Sequence, residues 1–278
     1  MAFRRRRCSR GDAAMIERAP MWRIRLYQLL VLAVFLGGWE WVSDRHIRTL
    51  WISKPSLIAE RTLDWFSSGF IYSHILATLQ IAGLGLLIGT AIGVVFGIAL
   101  GLQRSLSRLL DPILGGAYTV PRIAFLPVLL FWFGFGFRPL VALVVLMVFF
   151  VLFYNTRAGV ESVEGDLVAS MRVMGATRLQ VIRMVILPSI VPFILAAMMI
   201  AAPYALVGAI VGEIFIGSKG LGFLIVSSTG GLDLTGTFTA CLVVTVISLI
   251  ATLVIARHGP RLLGRSPETI GGATAAAF

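Results

Sequence analysis

Apolar runs close to the roughly 20 residues that cross a bilayer recur along this chain. Few architectures other than a membrane-embedded helical protein tolerate them. Of 278 residues 58% are hydrophobic and only 13% charged, with a mean hydropathy of +0.93. A soluble domain carries about a quarter charged residues, so part of the solvent here must be lipid. Six stretches read as spanning helices: about Leu26 to Val42, His74 to Leu102, Ile113 to Phe133, Pro139 to Tyr154, Ser189 to Val211 and Thr237 to Ala256. After the first comes Lys54-Pro55-Ser56 and then LIAERTLDWF. Its Leu57, Ile58, Leu63, Trp65 and Phe66 stand against Glu60, Arg61 and Asp64, the pattern of a short amphipathic helix lying at the interface.

The net charge is +11. In a soluble protein that would suggest nucleic acid, but the distribution argues otherwise. Arg4, Arg5, Arg6, Arg7, Arg10, Arg18, Arg23 and Arg25 precede or open the first apolar run. A polybasic tail beside a membrane helix is drawn to anionic lipid and held on the cytoplasmic side. No basic face interleaved with aromatics is present to bind bases, so nucleic acid is not an expected partner. With the N-terminus inside, Lys and Arg number 17 on inner segments and six on outer ones (Arg45, Arg48, Lys54, Arg61, Arg138 and Lys219). That bias places both termini in the cytoplasm with an even number of spans. The first run ends in Trp39-Glu40-Trp41 without a small-residue cleavage site, so a removed signal peptide is not expected; Glu40 reads as an interfacial anchor. Cys8 and Cys241 are not expected to form a disulfide, and the three histidines have no metal-ligand spacing.

Gly85, Gly89, Gly93, Gly97 and Gly101 recur every four residues in the second span. Such a stripe stays on one slowly rotating face and lets another helix approach closely. The partner helix could belong to the same protomer or to a second copy.

The polar stretch from Glu161 to Pro188 is too long for a simple turn between spans. Asp166 to Met174 suits a short helix, with Gly175 as its C-terminal stop. Thr177 can cap a second helix through Val185, which Pro188 then interrupts or kinks. Two short helices at an angle form a knob that can seat in a cleft of a neighbouring subunit; the plainer reading is a hairpin that merely joins two spans.

This stretch resembles the cytoplasmic loop of the integral-membrane subunits of binding-protein-dependent ABC importers. The family pattern is Glu-Ala-Ala, three residues, Gly, nine residues, Ile, one residue, Leu-Pro. Gly175, Val185 and Leu187-Pro188 fit its spacing without a gap. Ala169, Ser170 and Met171 occupy the Glu-Ala-Ala positions, so the family glutamate is absent and Asp166, Arg172 and Arg178 are the charged residues left to anchor the contact. Further matches resemble the nitrate, sulfonate and taurine subgroup and extend the likeness over roughly Tyr72 to Leu262. They are Asp111-Pro112, Val120-Pro121-Arg122-Ile123-Ala124-Phe125-Leu126-Pro127, Trp132-Phe133-Gly134-Phe135-Gly136, Asn155-Thr156 with Gly159, and Gly212-Glu213 with Gly217 and Gly220-Leu221-Gly222.

The resemblance implies an all-α polytopic membrane protein of six transmembrane helices: a five-helix type I, MetI-like permease core plus one N-terminal helix. Residues 1–25 would be a basic cytoplasmic tail. Residues 26–71 would hold the first helix and the outer amphipathic segment. Residues 72–262 would form the core with its coupling loop at 157–188, and residues 263–278 a second cytoplasmic tail. It also implies a homodimer in a bacterial inner membrane, ATP-binding subunits on the loop and a periplasmic solute-binding protein. ATP and Mg would be used by the partner ATPase, with no cofactor on this chain. The solute would be a small anion such as a sulfonate, taurine or nitrate, or a vitamin precursor.

Two intramembrane charges are candidates for the translocation path. Arg122, between Pro121 and Pro127, either lines the path and attracts an anion, or makes a structural ion pair or snorkels. Glu213 ends the fifth span before a glycine-rich loop, and a pairing with Arg122 is conceivable on charge alone. That loop lacks the Gly-Lys-Ser/Thr ending of a phosphate-binding loop and is expected to face outside. No catalytic constellation is present and no Walker motif, so energy must come from another subunit or from an ion gradient. An ion-coupled transporter predicts internal repeats and several buried acids; no repeat is visible and only Glu213 is a candidate acid. A non-transporting membrane scaffold is the other rival.

Overall fold

A computed structural model describes residues 21–43 and 52–258. Cys8, most of the basic N-terminal tail and the C-terminal Arg261 and Arg265 lie outside the described residues. Every element among the described residues is helical. In chain order they are α1 (Met21–Val42), α2 (Pro55–Ser67), α3 (Phe70–Leu102), α4 (Arg104–Thr119), a 3-10 turn (Arg122–Phe125), α5 (Leu126–Phe133) and α6 (Phe137–Glu161). Then come α7 (Gly165–Val173), α8 (Arg178–Val181), a π-helical turn (Ile182–Ile186), α9 (Leu187–Ile216), α10 (Leu221–Gly230) and α11 (Leu234–His258).

Among the described residues, four helical runs are long and apolar enough to cross a membrane: α3, α6, the continuous run Arg178–Ile216, and α11 to Arg257. A fifth is counted if α4 and the segment Arg122–Phe133 form one bent span. At 22 residues, α1 is roughly 33 Å long, enough to cross, but Arg23, Arg25 and Glu40 make it less apolar than the others. Where the sequence suggested one straight third span over Ile113 to Phe133, the chain turns by 87° between Thr119 and Arg122. Val120 is extended (φ −67°, ψ 131°) because the ring of Pro121 disfavours the helical region for the residue before it. Pro112, by contrast, is accommodated inside α4.

The core is the packing of α3, α6 and α9. Each stripe glycine of α3 faces one residue of α6, also four apart: Gly85 on Val144, Gly89 on Val148, Gly93 on Leu152, Gly97 on Thr156 and Gly101 on Val160. The two helices run side by side in the same direction, and the glycine stripe is consumed within the protomer. From the other side α9 presents Ala197, Ala201, Ala205 and Ala209, which join Val144, Val148 and Leu152 in one buried cluster. Small residues are what allow three backbones to close up where lipid offers no hydrophobic push between helices.

At the end away from α7, α2 lies against α3 and α11 with Ile58 buried. Glu40 at the end of α1 caps this helix: its Oε2 accepts from the Ser56 amide at 3.1 Å and its Oε1 from the Ser56 hydroxyl at 2.8 Å. The residue read as an interfacial anchor therefore fastens α1 to α2. Arg61 of α2 pairs with Asp233 before α11 at 2.8 Å.

Candidate functional site

The segment after α6 builds a small two-helix knob from local signals. α7 starts with Asp166 in its first turn and ends with Arg172 in its last, each favourable to the helix dipole. Gly175 takes φ +81°, a left-handed conformation that stops the helix. Thr177 then caps α8 in a capping box: its Oγ1 accepts from the Gln180 amide at 3.4 Å, and Gln180 Oε1 accepts from the Thr177 amide at 2.7 Å. Pro188, expected to interrupt or kink the second helix, instead opens α9 directly after the π turn. The wider turn passes the chain into α9, so residues 178–216 form one helical run.

The knob is fixed from beneath. Val168, Met171 and Ala176 pack on the buried cluster of Val160, Val181, Ile186 and Ile190. Its outer side carries Asp166, Ala169, Ser170, Arg172 and Arg178, all exposed. Val185 is half-buried, while Leu187 and Pro188 are exposed. Among these sit apolar side chains that the protomer leaves uncovered: Val173 is 88% exposed, Met174 78% and Leu179 73%.

Asp111 near the C-terminal half of α4 meets Arg157 of α6, a contact that no sequence spacing announces. Arg157 Nη2 donates to Asp111 Oδ2 at 3.0 Å, Nη1 donates to Oδ1, and Nε donates to Glu161 Oε1 at 2.8 Å. The guanidinium fork ties the bent α4 to α6 just before the knob. Replacing Arg157 by Met should lower the melting temperature slightly, since a pair this exposed to solvent is largely screened. A double-mutant cycle with Asp111→Asn measures the coupling, and a coupling near zero would mean that the fork does not hold α4.

Arg122 opens the 3-10 turn just after the bend and is half-buried; Pro121 and Pro127 are exposed. Its guanidinium carbon lies 4.7 Å from the Tyr118 ring centre and 5.4 Å from that of Phe150, and Nη2 donates to the Tyr118 carbonyl at 3.2 Å. No ion pair involving Arg122 occurs among the described residues. Glu213 is elsewhere, wholly buried. Its Oε2 accepts from Thr78 Oγ1 at 3.0 Å and from the Gly222 amide at 2.8 Å; Thr78 Oγ1 in turn accepts from the Leu221 amide at 2.8 Å. His74 Nδ1 lies 3.1 Å from both the amide and the carbonyl of Gly220. Glu213 thus binds the loop that follows α9 to α3, and the pairing with Arg122 is not made.

Residues 89–264 match the family described as binding-protein-dependent transport system inner membrane component. The formylaminopyrimidine transport permease protein ThiX of Halalkalibacterium halodurans is 29% identical over 81% of this chain and 92% of its own length. The taurine transport system permease protein TauC of Escherichia coli is 30% identical over 76% of this chain and 79% of its own. A solved inward-facing structure of the MetNI methionine ABC transporter superposes with a TM-score of 0.62, covering 68% of this chain and 94% of that one at 20% identity. The chain belongs to the binding-protein-dependent ABC importer permeases and has their MetI-like, all-helical fold. It is a membrane-spanning transport subunit and not an enzyme, and its family works with ATP-binding and solute-binding partners.

Proposed function

We propose that the knob of α7 and α8 is the docking site for a separate ATP-binding subunit, whose closure drives a small solute through a path between two copies of this chain. The observation that carries this is the exposed apolar trio Val173, Met174 and Leu179 beside Asp166, Arg172 and Arg178, which make no ion pair among the described residues. Apolar side chains standing out on a polar, firmly packed knob fit a protein interface. The excess of Lys and Arg supports a cytoplasmic position for this end, with both termini on the same side. Loop 217–222 and α2 would then face the solute-binding protein outside. ATP and Mg belong to the partner in this reading, and the chain itself needs no cofactor.

For the solute we infer a small organic molecule bearing negative charge. Arg122 is the cation at the bend of the broken span, and its support for this inference is chemical. The relatives are named for a formylaminopyrimidine and for taurine, so their names alone leave the rest of the molecule open.

The docking reading is tested with Val173→Asp and Met174→Asp together. Burying each native side chain is worth roughly 1.5–3 kcal/mol, so affinity for the ATP-binding subunit should fall by a hundredfold or more. Uptake should be lost while helix content stays at the parental level. If the ATP-binding subunit still co-purifies in full with this double variant, the knob is a mere connector.

A further inference from the structure

We propose that the cavity beside the bend after α4 is a solute site selective for a flat aromatic ring carrying an anionic oxygen; this rests on the permease reading above and narrows its substrate class. The cavity has a volume of about 360 Å³ and is lined by Tyr118, Arg122, Phe150, Tyr154, Asn155 and Tyr204, with Val151 and Ile200 completing the wall. That volume is at the lower end for small-molecule sites, enough for one or two rings. Three elements converge on it: α4 and the bend, α6, and α9.

Ring geometry sets the preference. Phe150 and Tyr154, one turn apart on α6, lie within 21° of parallel with centroids 6.5 Å apart. Tyr118 stands edge-on to both, at 5.9 Å from Phe150 and 5.2 Å from Tyr154. The wall therefore offers π faces in one orientation and ring edges in another, and an aromatic guest can use both. An aliphatic sulfonate without an ammonium group needs a cation and a few donors, and gains little from four rings.

Polar groups in the wall are left free. Arg122 uses only Nη2, on the Tyr118 carbonyl, and its Nε is buried without a partner. Asn155 donates through Nδ2 to the Val151 carbonyl at 2.8 Å, which leaves its Oδ1 open. The hydroxyls of Tyr118, Tyr154 and Tyr204 have no hydrogen-bond partner among the described residues. A guanidinium, an amide and three phenols gathered on an apolar bundle do not suit contact with lipid. They suit a wet path and a guest with oxygen acceptors. Arg122 would bind the guest's anionic oxygen, and Asn155 Oδ1 would accept a hydrogen bond from a ring N–H or amino group.

The test uses the full chain assembled with its ATP-binding subunit in lipid nanodiscs, titrated calorimetrically with orotate, a pyrimidine carboxylate, and separately with ethanesulfonate. Orotate should bind and ethanesulfonate should not at equal concentration. Tyr154→Leu should weaken orotate about tenfold or more, the loss expected for one stacked ring, whereas Tyr154→Phe, which keeps the ring and loses only the hydroxyl, should weaken it less. Arg122→Gln should weaken orotate while leaving assembly with the ATP-binding subunit intact. Ethanesulfonate binding as tightly as orotate, no binding of orotate, or an unchanged Tyr154→Leu would each overturn the assignment. Should Tyr154→Leu fail to assemble, the orotate–ethanesulfonate comparison on the parent still decides. Failure of the parent to hold an ATP-binding subunit counts against the permease reading alone.

Discussion

Gly93→Leu is expected to yield no stable, monodisperse protein in detergent, whereas Gly83→Leu should melt within about 2 °C of the parent. The two glycines are ten residues apart on the same helix, and the difference between them is what they face. A Cβ at Gly93 would lie 2.8 Å from both the Leu152 Cβ and the Phe149 carbonyl oxygen, and 3.2 Å from the Phe153 amide nitrogen. Two of those three atoms are backbone, so no rotamer change relieves the clash. At Gly83 nothing lies within 4 Å. Overpacking an ordinary core costs about 1–3 kcal/mol. Here α3 and α6 must separate along five consecutive contacts, and the dispersion lost is not replaced, because lipid chains serve the separated faces equally well. Thermal unfolding followed by circular dichroism, with size-exclusion chromatography, measures both variants. Equal behaviour of the two would remove the close-packed seam as the basis of the fold.

The second large effect is expected at Glu213. Glu213→Ala should lower stability by about 2–5 kcal/mol, combining a cavity with stranded hydrogen-bond donors at Gly222 and Thr78. Glu213→Gln keeps the shape and one acceptor oxygen and should cost much less. The loop should respond before the bundle does. Lys219 is exposed within residues 217–222, so limited trypsin digestion should cut there several-fold faster in Glu213→Ala than in Glu213→Gln or the parent. Gly220 closes over this carboxyl: a Cβ there would lie 2.2 Å from the Glu213 carboxyl carbon. Unchanged melting and unchanged cleavage in Glu213→Ala would show that the carboxylate does not pin the loop.

The residues differ in how far their roles could be read from spacing. Four-residue periodicity in α3 is a local pattern, so a close helix approach was legible. Its partner was not, because nothing local says which helix bears Val144, Val148 and Leu152. The stop at Gly175 and the cap at Thr177 are likewise local chemistry, and the two short helices follow from them. The bend at Pro121 was written in the sequence as an X-Pro step, yet continuous hydropathy on both sides concealed it as one straight span. At Pro188 the missing donor was visible, but not the π turn that absorbs it. Glu213 and Arg122 looked like potential partners only because both are charged. Their actual contacts, Thr78 with Gly222 and Tyr118 with Phe150, are set by helix packing across separations as long as 135 residues. The Asp111–Arg157 fork, 46 residues apart, is hidden for the same reason.

The unbroken helical run of 39 residues from Arg178 to Ile216 has a mechanical consequence. It is roughly 58 Å long, begins at the Thr177 cap and ends three residues beyond Glu213. Pro192 and Pro203 lie inside it; tilting as one body, it would be a lever arm, and about 1° at the knob would displace the far tip by about 1 Å. The hydrogen bonds around Glu213 hold the loop to that tip, so a swing begun at the knob would arrive at the other end of the run as a displacement of residues 217–222.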